Sequence, residues 1–155
     1  MIIEAIDICK SYGDSQILNH VSVSVSSGES ISISAPSGQG KSTLISIIGL
    51  LLQPSSGQVI LDGENISALP DCEKARIRNQ MFGFVFQHSQ LIGSLSVLEN
   101  VMIPALLAKD SGKQAYAKAL LEQFGLADRM HYYPHQLSLG QLRRASLARA
   151  VLRSA

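Results

Sequence analysis

Alternating apolar and polar residues predict β-strands over much of the first half of the chain. Every second position is apolar through most of IIEAIDI at 2–8 and HVSVSVS at 20–26, and in SISISA, which ends at Ala35. Two further apolar runs, QVILDG at 58–63 and FGFVFQ at 82–87, are also predicted strands, the second of them buried. Alternation places one set of side chains on one face of a sheet, where they pack against a core.

Longer apolar segments with helical spacing occupy the remainder. They predict helices over 41–52 and 71–79, a helical region from 96 to about 124 that breaks near 110–112, and a last helix that begins near Leu139. The order is strands first and then helices alternating with strands. That order is typical of an α/β or α+β layout with a nucleotide-type core.

Composition and charge exclude several classes of protein. The chain has 155 residues, the length of one domain, with 46% apolar residues and a net charge of +1, so no basic surface for nucleic acid is expected. Cys9 and Cys72 form neither a disulfide framework nor a zinc motif, which fits a reducing cytoplasm. The N-terminus is not a signal peptide, and the longest apolar run, at 45–52, is far shorter than a membrane span. Any link to a membrane is therefore expected to involve a partner.

The segment APSGQGKST at 35–43 carries the strongest chemical signal. A predicted strand, a glycine-rich loop and Lys-Ser at the start of a helix together form a phosphate-binding loop, or P-loop. Gly38 and Gly40 permit unusual backbone angles and close approach, so that successive main-chain N–H groups can surround an anion at the positive end of the helix. Lys41 would contact the β- and γ-phosphates, and Ser42 would be a hydroxyl ligand of Mg²⁺.

The predicted nucleotide contacts in this loop are Ser37, Gly38, Gln39, Gly40, Lys41, Ser42 and Thr43. Ala35 departs from the P-loop pattern, which usually has its first glycine there, and a methyl group at the end of a strand is a mild change. The alternative is a Gly/Ser loop that spells GKS by chance, and the strand–loop–helix context argues against it. A P-loop alone leaves kinases, GTPases, helicases and transport ATPases open.

Three further segments narrow these classes, because together with the P-loop they resemble the nucleotide-binding subunits of ABC transporters. Tyr12, in KSYGD, matches the family's adenine-stacking aromatic, and Gln87 matches the Q-loop glutamine that touches Mg²⁺ and the attacking water. QLSLGQLRRASLARA at 136–150 resembles the ABC signature and the helix that follows it. The resemblance implies an α/β P-loop fold with N-terminal antiparallel strands and a helical subdomain, divided into 1–86 and 87–155. Without the P-loop, Tyr12 and Gln87 would be an ordinary strand-end tyrosine and a surface amide.

In the signature, Ser138, Gly140 and Gln141 keep the family pattern, whereas Leu139 replaces a glycine. Arg144 and Arg149 match arginines beyond it in the helix. The family's signature reaches across a head-to-tail dimer to the γ-phosphate on the other subunit, so the resemblance gives Ser138, Gly140, Gln141 and Gln87 catalytic roles. The added bulk of Leu139 bears on how closely that phosphate can approach. The alternative, a serine-capped helix, explains Ser138 but not the whole string.

The resemblance also implies cofactors, partners and a location. They are ATP and Mg²⁺, membrane permease subunits, a second ATP-binding cassette, and a place on the cytoplasmic face of the membrane. GLLLQPSSGQVILDGENIS and SVLENVMIPALL look like the branch that serves lipoprotein release and macrolide export. His131 and His135 precede the signature and are interpreted as solvated loop side chains, because the family's switch histidine comes much later.

The sequence given ends at Ala155, just after the signature helix. In the family the next strand carries an aspartate and the catalytic glutamate, so the resemblance implies a cassette truncated after the signature, with an incomplete core and little ATP hydrolysis on its own. Two functions stay open: the energy-coupling ATPase of a transporter, and a hydrolysis-incompetent nucleotide-binding fragment. A soluble ABC ATPase acting on DNA or ribosomes is a more distant third.

Overall fold

The computed structural model describes residues 2–152, apart from the side chain of Ser111. The chain forms two compact units, Met1–Ala75 and Arg76–Ala155. The functional division expected between residues 86 and 87 stays a prediction.

The first unit contains an antiparallel four-stranded sheet. Its strands are β1 (Ile2–Tyr12), β2 (Ser15–Ser26), β3 (Ser56–Leu61) and β4 (Glu64–Asn65), in the order β2-β1-β3-β4. The turn between β1 and β2 has two residues, and its first, Gly13, adopts a φ of 56°, as tight hairpins require. The strands predicted at 2–8, 20–26 and 58–63 are confirmed, as is the antiparallel arrangement that the resemblance implied.

The core of the first unit lies between this sheet and the helix α1 (Lys41–Ile48). The valines of β2 are partly buried and the intervening serines are exposed, as the period of two requires. α1 ends at Ile48 with Gly49 as its C-cap, sooner than the predicted residue 52, and its buried face carries Leu44 and Ile47. The buried apolar residues of this unit are Ala5, Ile8, Cys9, Leu18, Leu44, Ile47, Leu50, Val59 and Ile66.

The prediction of a strand at 30–35 is wrong for this structure. Residues 29–36 form no ladder within the described part of the chain, and Ile31 is 42% exposed. The pattern suits a strand, but a strand exists only where a neighbouring segment accepts and donates its main-chain hydrogen bonds. This segment leads into the P-loop without forming a strand.

The prediction of a buried strand at 82–87 is also wrong. This segment has no ladder in the described chain, and Val85 and Phe86 are 48% and 37% exposed. The rings of Phe82, Phe84 and Phe86 stack in sequence, with centroids 5.9 and 5.8 Å apart. Stacking at every second residue shows that the backbone is extended here, although no strand pairs with it.

The second unit is helical. Its main helices are α3 (Val97–Leu107), α4 (Gln114–Gln123) and α5 (Leu139–Val151), and α2 (Asp71–Met81) spans the boundary between the units. Short 3-10 turns occur at Ser111–Lys113, Ala127–Arg129 and Pro134–Gln136. The predicted break near 110–112 and the predicted start of the last helix near Leu139 are confirmed.

The second unit is held together by an apolar core between α3, α4 and α5. Its fully enclosed members include Val97, Val101, Ala117, Leu121, Leu126, Ala145, Ala148 and Leu152. Burial of this many apolar side chains is the main stabilising contribution available to the unit. Small alanines on α5 allow it to approach α3 closely. The signature helix is therefore a structural part of this core.

Asn100 of α3 is fully buried and organises the loop that precedes its own helix. Its side-chain amide donates to the carbonyls of Ile92, Leu95 and Ser96 at 3.0 Å each, and its Oδ1 accepts from the Ile92 N–H at 2.7 Å. A buried amide is tolerated only when its hydrogen bonds are made. The loop at 92–96 is thus fixed to α3.

No helix among residues 2–152 has the length and apolar character needed to cross a membrane.

Candidate functional site

The P-loop glycines adopt the left-handed backbone that the motif requires. Gly38 has a φ of 82° and Gly40 a φ of 76°. Gly40 is also closely enclosed, because a Cβ there would lie 2.8 Å from Leu18 Cδ2 and 2.9 Å from the Ile17 carbonyl oxygen. Ala35 is absent from the positive-φ residues among 2–152, so its methyl group fits the position where the motif usually has glycine.

Lys41, the first residue of α1, folds back over the loop. Its Nζ donates to the carbonyl oxygens of Ala35 at 2.5 Å and Pro36 at 2.7 Å. These bonds hold the ammonium group against the main chain of the loop. The chain from Ala35 to Lys41 therefore closes on itself.

The start of α1 presents main-chain N–H groups without partners in the described chain. No hydrogen bond within residues 2–152 is made by the amides of Gly38, Gly40, Lys41, Ser42 and Thr43. No side chain caps α1, and no acidic residue lies in its first turn. Exposed N–H groups at a helix N-terminus give an anion-binding site with partial positive charge.

Tyr12 lies at the end of β1 in the same unit as the P-loop. Its ring is 53% exposed, and Lys10 Nζ lies 5.0 Å from the ring centroid. Lys10 is fixed in turn by donating to the Gln53 carbonyl oxygen at 2.8 Å. An accessible ring of this kind is suited to stacking on a flat base.

Gln87 lies in the second unit and is exposed. It follows the stacked phenylalanines, and the carbonyl oxygens of Ser89 and Gln90, two and three residues further on, accept hydrogen bonds from α5. The structure describes Gln87 within its own unit, and its role toward a nucleotide stays a prediction.

The signature residues form the N-terminal cap of α5. Ser138 Oγ accepts from the Gln141 N–H at 3.3 Å, and Gln141 Oε1 accepts from the Ser138 N–H at 2.8 Å, a reciprocal capping box. Gly140 has open space around it, and the Leu139 side chain is 59% exposed. Ser138 and Gln141 therefore have a structural function whether or not they meet a nucleotide.

The two arginines beyond the signature contact carbonyl oxygens. Arg144 Nη1 donates to the Phe124 carbonyl at 2.8 Å, and Arg149 donates to those of Ser89 at 3.3 Å and Gln90 at 3.0 Å. Burial lowers the pKa of Arg149 below its ordinary value. His131 and His135 are exposed, in agreement with their interpretation as loop side chains.

Sequence reasoning missed several residues that support these segments. Ile17 and Leu18 form the wall against Gly40, Asn100 fixes the loop before α3, and Ser146 Oγ donates to the Ser89 carbonyl oxygen at 2.9 Å. A signal was available for two of these residues, because Asn100 and Ser146 are polar residues inside apolar helical patterns. A polar residue at a core position needs a hydrogen-bond partner.

Comparison with known sequences places the chain in a large family. The family described as "ABC transporter" matches residues 18–155. A lipoprotein-releasing system ATP-binding protein, LolD, from Bdellovibrio bacteriovorus is 45% identical over 96% of this chain and 70% of its own length. The LolD of Bacteroides thetaiotaomicron is 42% identical over 94% of this chain and 67% of its own.

Relatives outside the LolD group, and solved structures, indicate the same family. The pyoverdine export ATP-binding/permease protein PvdT of Pseudomonas aeruginosa is 45% identical over 97% of this chain and 24% of its own length. The dimeric structure of MJ0796, a bacterial ABC transporter cassette, superposes with a TM-score of 0.89 at 35% identity, over 98% of this chain and 70% of that one. A second MJ0796 dimer, bound to ADP and phosphate, gives 0.85. The chain therefore belongs to the ABC transporter family, in which it is an ATP-binding subunit.

Proposed function

We propose that residues 37–43 hold the triphosphate of ATP and that this binding drives a transporter for lipid-modified proteins. The observation that carries the proposal is the set of main-chain amides at Gly38, Gly40, Lys41, Ser42 and Thr43, which make no hydrogen bond within residues 2–152 and lie at the start of α1. Each amide exchanges a hydrogen bond to water for one to a phosphate oxygen, and the helix dipole adds to the attraction. The base of the nucleotide stacks on Tyr12.

Lys41 supplies the only full positive charge within residues 35–43. Its ammonium group is already held at the loop, because it donates hydrogen bonds to the carbonyl oxygens of Ala35 and Pro36. Contact with the β- and γ-phosphates adds a charge-assisted hydrogen bond, which is about twice as strong as a neutral one.

The Ser42 hydroxyl of the first unit fits a magnesium ion bound with the nucleotide, and Gln87 of the second unit remains a predicted ligand. Ser42 is exposed at the second position of α1, and its hydroxyl makes no hydrogen bond within residues 2–152. Gln87 offers an exposed amide oxygen. Both are hard oxygen donors of the kind Mg²⁺ prefers, and the ion would neutralise phosphate charge when bound.

The signature end of α5 is suited to contact a phosphate on a second cassette. The amides of Leu139 and Gly140 make no hydrogen bond within residues 2–152, and the Ser138 lone pair engaged by Gln141 leaves its O–H free to donate. Two amides and a hydroxyl at a helix N-terminus form a second anion site. The dimeric structures of MJ0796 support a dimer, and we propose that it is head-to-tail, with the exposed Leu139 narrowing the approach of the phosphate.

The partners and the location follow from the relatives. Several relatives are named as lipoprotein-releasing system ATP-binding proteins, which favours lipoprotein release as the transport class. The chain then acts at the cytoplasmic face of the membrane, attached through permease subunits. The net charge of +1 argues against a nucleic-acid partner.

A titration with Mg²⁺ and ATP tests the proposal. We expect Lys41→Ala to weaken binding by about 1.5–3 kcal/mol, which is about ten- to a hundredfold in Kd. Lys118→Ala is the matched control, because it removes an exposed lysine from α4 and is expected to leave Kd unchanged. Equal Kd for the unsubstituted chain and Lys41→Ala, with both folded by circular dichroism, contradicts the proposal.

A further inference from the structure

The second half of α5 holds both ends of the segment that carries Gln87. After Gln87, the Ser89 carbonyl oxygen accepts from Ser146 Oγ at 2.9 Å and Arg149 Nη2 at 3.3 Å, and the Gln90 carbonyl oxygen accepts from Arg149 Nη1 at 3.0 Å. The guanidinium is planar, so its two N–H groups engage two successive carbonyls in a fixed geometry. Gln87 is thus two residues from a rigid anchor.

The other end of the segment is anchored by close backbone approach. A Cβ on Gly83 would lie 2.7 Å from the Ala150 carbonyl oxygen and 3.2 Å from Ala150 Cβ. Gly83 does not have a left-handed φ, so the requirement for glycine there is one of space. Gln87 therefore lies in a short span between two contacts on one helix.

Within the first anchor the Ser146 hydroxyl is buried, whereas the bond from Arg149 to Gln90 is exposed. Ser146 is 1% exposed, and its hydroxyl is satisfied by the Ser89 carbonyl. Gln90 adopts a φ of 43°, a conformation that costs energy in a residue with a side chain and persists where neighbouring contacts support it. The bond from Arg149 to its carbonyl is such a contact.

The same helix carries the signature at its first turn. α5 has 13 residues and is packed into the unit's core through Ala145 and Ala148, so its two ends cannot move independently. Asn100 fixes the chain that continues from Gln90 toward α3. The hydrogen bonds that anchor residues 89–96 to α5 and to Asn100 all lie within the second, helical unit.

We propose that Gly83, Ser146 and Arg149 are positioning residues that join the Gln87 segment and the signature end of α5 into one rigid piece. A displacement of Gln87 then displaces Ser138, and the reverse also holds. This link rests on the proposed function for its catalytic meaning, because it assumes that Gln87 and Ser138 both meet nucleotide. The mechanical link itself is a property of this unit alone.

Distances between paired spin labels test the link. In a Cys72→Ser background, one label pair is placed at His88→Cys and Leu147→Cys, and a reference pair at Lys118→Cys and Leu147→Cys; all of these positions are exposed. We expect a single narrow distance distribution for the 88–147 pair, with and without Mg²⁺ and ATP. Arg149→Ala should broaden this distribution, Ser146→Ala should broaden it less, and Arg149→Lys, which offers no planar fork, should give an intermediate width.

The reference pair separates positioning from a general loss of fold. In Arg149→Ala the 118–147 distribution should stay narrow, since α4 and α5 still pack through their shared apolar core. Arg143→Ala, an exposed arginine on the same helix, should leave both distributions unchanged. Gly83→Ala should displace the 88–147 mean, and Gly93→Ala, with no atom within 4 Å of its Cβ, should not.

Three results overturn the proposal: an unchanged 88–147 width in Arg149→Ala, broadening of the reference pair to the same degree, or a shift of the 88–147 distance on adding Mg²⁺ and ATP to the unsubstituted chain. Failure of the proposed function is a separate observation. If the unsubstituted chain does not bind ATP, the nucleotide-free widths still decide whether the positioning residues join the two segments.

Discussion

Gly38 and Gly40 share a left-handed backbone but differ in the space around them. At Gly38 nothing lies within 4 Å of a Cβ, whereas at Gly40 such a carbon would lie against Ile17 and Leu18. The first glycine is therefore required for conformation alone, and the second for both conformation and packing. This difference separates two physical reasons for the same residue type in one motif.

Alanine at these two positions should have unequal effects on stability. We expect Gly38→Ala to lower the free energy of unfolding by about 1–2 kcal/mol, the cost of a left-handed residue with a side chain. Gly40→Ala adds steric overlap at 2.8–2.9 Å and should cost more than Gly38→Ala by about 1–3 kcal/mol. Urea unfolding of both variants measures this difference, and equal losses would show that the β2 wall does not press on the loop.

The P-loop was predictable at this scale because its chemistry is local. Seven consecutive residues, Ser37 to Thr43, specify the loop, and the same residues supply its glycines, its lysine and its hydroxyls. The contacts of Arg149 were not predictable, since its partners Ser89 and Gln90 lie about sixty positions away in sequence. Sequence spacing carries no information about which distant carbonyl an arginine will reach.

At the scale of elements, capping accounts for where two helices begin. α3 and α5 each start with a reciprocal box, Ser96 with Glu99 and Ser138 with Gln141. The second of these boxes consists of signature residues, so one set of side chains both starts a helix and presents its N-terminus. A substitution in the signature thus acts on stability as well as on any nucleotide.

The α3 box should make the helix start sensitive to acid. Hydrogen bonds from the Ser96 hydroxyl, and then from its main-chain N–H, hold the pKa of Glu99 below its ordinary value. Because the folded pKa is lowered, the carboxylate stabilises the fold above the unfolded pKa, and this contribution is lost as the pH falls through the folded pKa. Glu99→Gln keeps an acceptor but no charge, so unfolding measured across the acid range should depend less on pH.

An NMR titration of the Glu99 carboxyl gives the direct check. The expected midpoint lies below the ordinary pKa of a glutamate. A midpoint at the ordinary value would mean that the box is not formed in solution.

Helix positions were predicted better than strands for a physical reason. A helix bonds within itself, so the spacing in 97–107 and 139–151 was sufficient to locate α3 and α5. A strand also needs a partner, and the two wrong predictions, at 30–35 and 82–87, concern segments with suitable alternation but no ladder among residues 2–152. β1 and β2 succeeded because a two-residue turn brings their partner into place.

At the scale of the whole molecule, the antiparallel sheet is well paired, whereas two segments form no ladder within residues 2–152. The segments at 30–35 and 82–86 carry exposed apolar side chains, among them Ile31, Val85 and Phe86. Unpaired chain of this kind offers main-chain groups to any neighbouring strand. One of the two leads directly into the P-loop, and the other leads to Gln87.

Hydrogen exchange should distinguish these segments from the sheet. We expect main-chain amides at 30–35 and 82–86 to exchange close to the rate of an unstructured chain, while the paired amides of β1 and β3 are protected. Mass spectrometry after short labelling times measures both in one sample. Protection of 30–35 equal to that of β1 in a monomeric sample would show a strand pairing that this account lacks.

The proposed binding of ATP depends above all on the main-chain amides of the P-loop. A two-dimensional amide spectrum recorded during addition of Mg²⁺ and ATP reports on each of them separately. We predict large downfield shifts for the amide protons of Gly38, Gly40, Lys41, Ser42 and Thr43, because each gains a phosphate oxygen as acceptor. Saturable binding of ATP with those five signals unmoved would contradict the account.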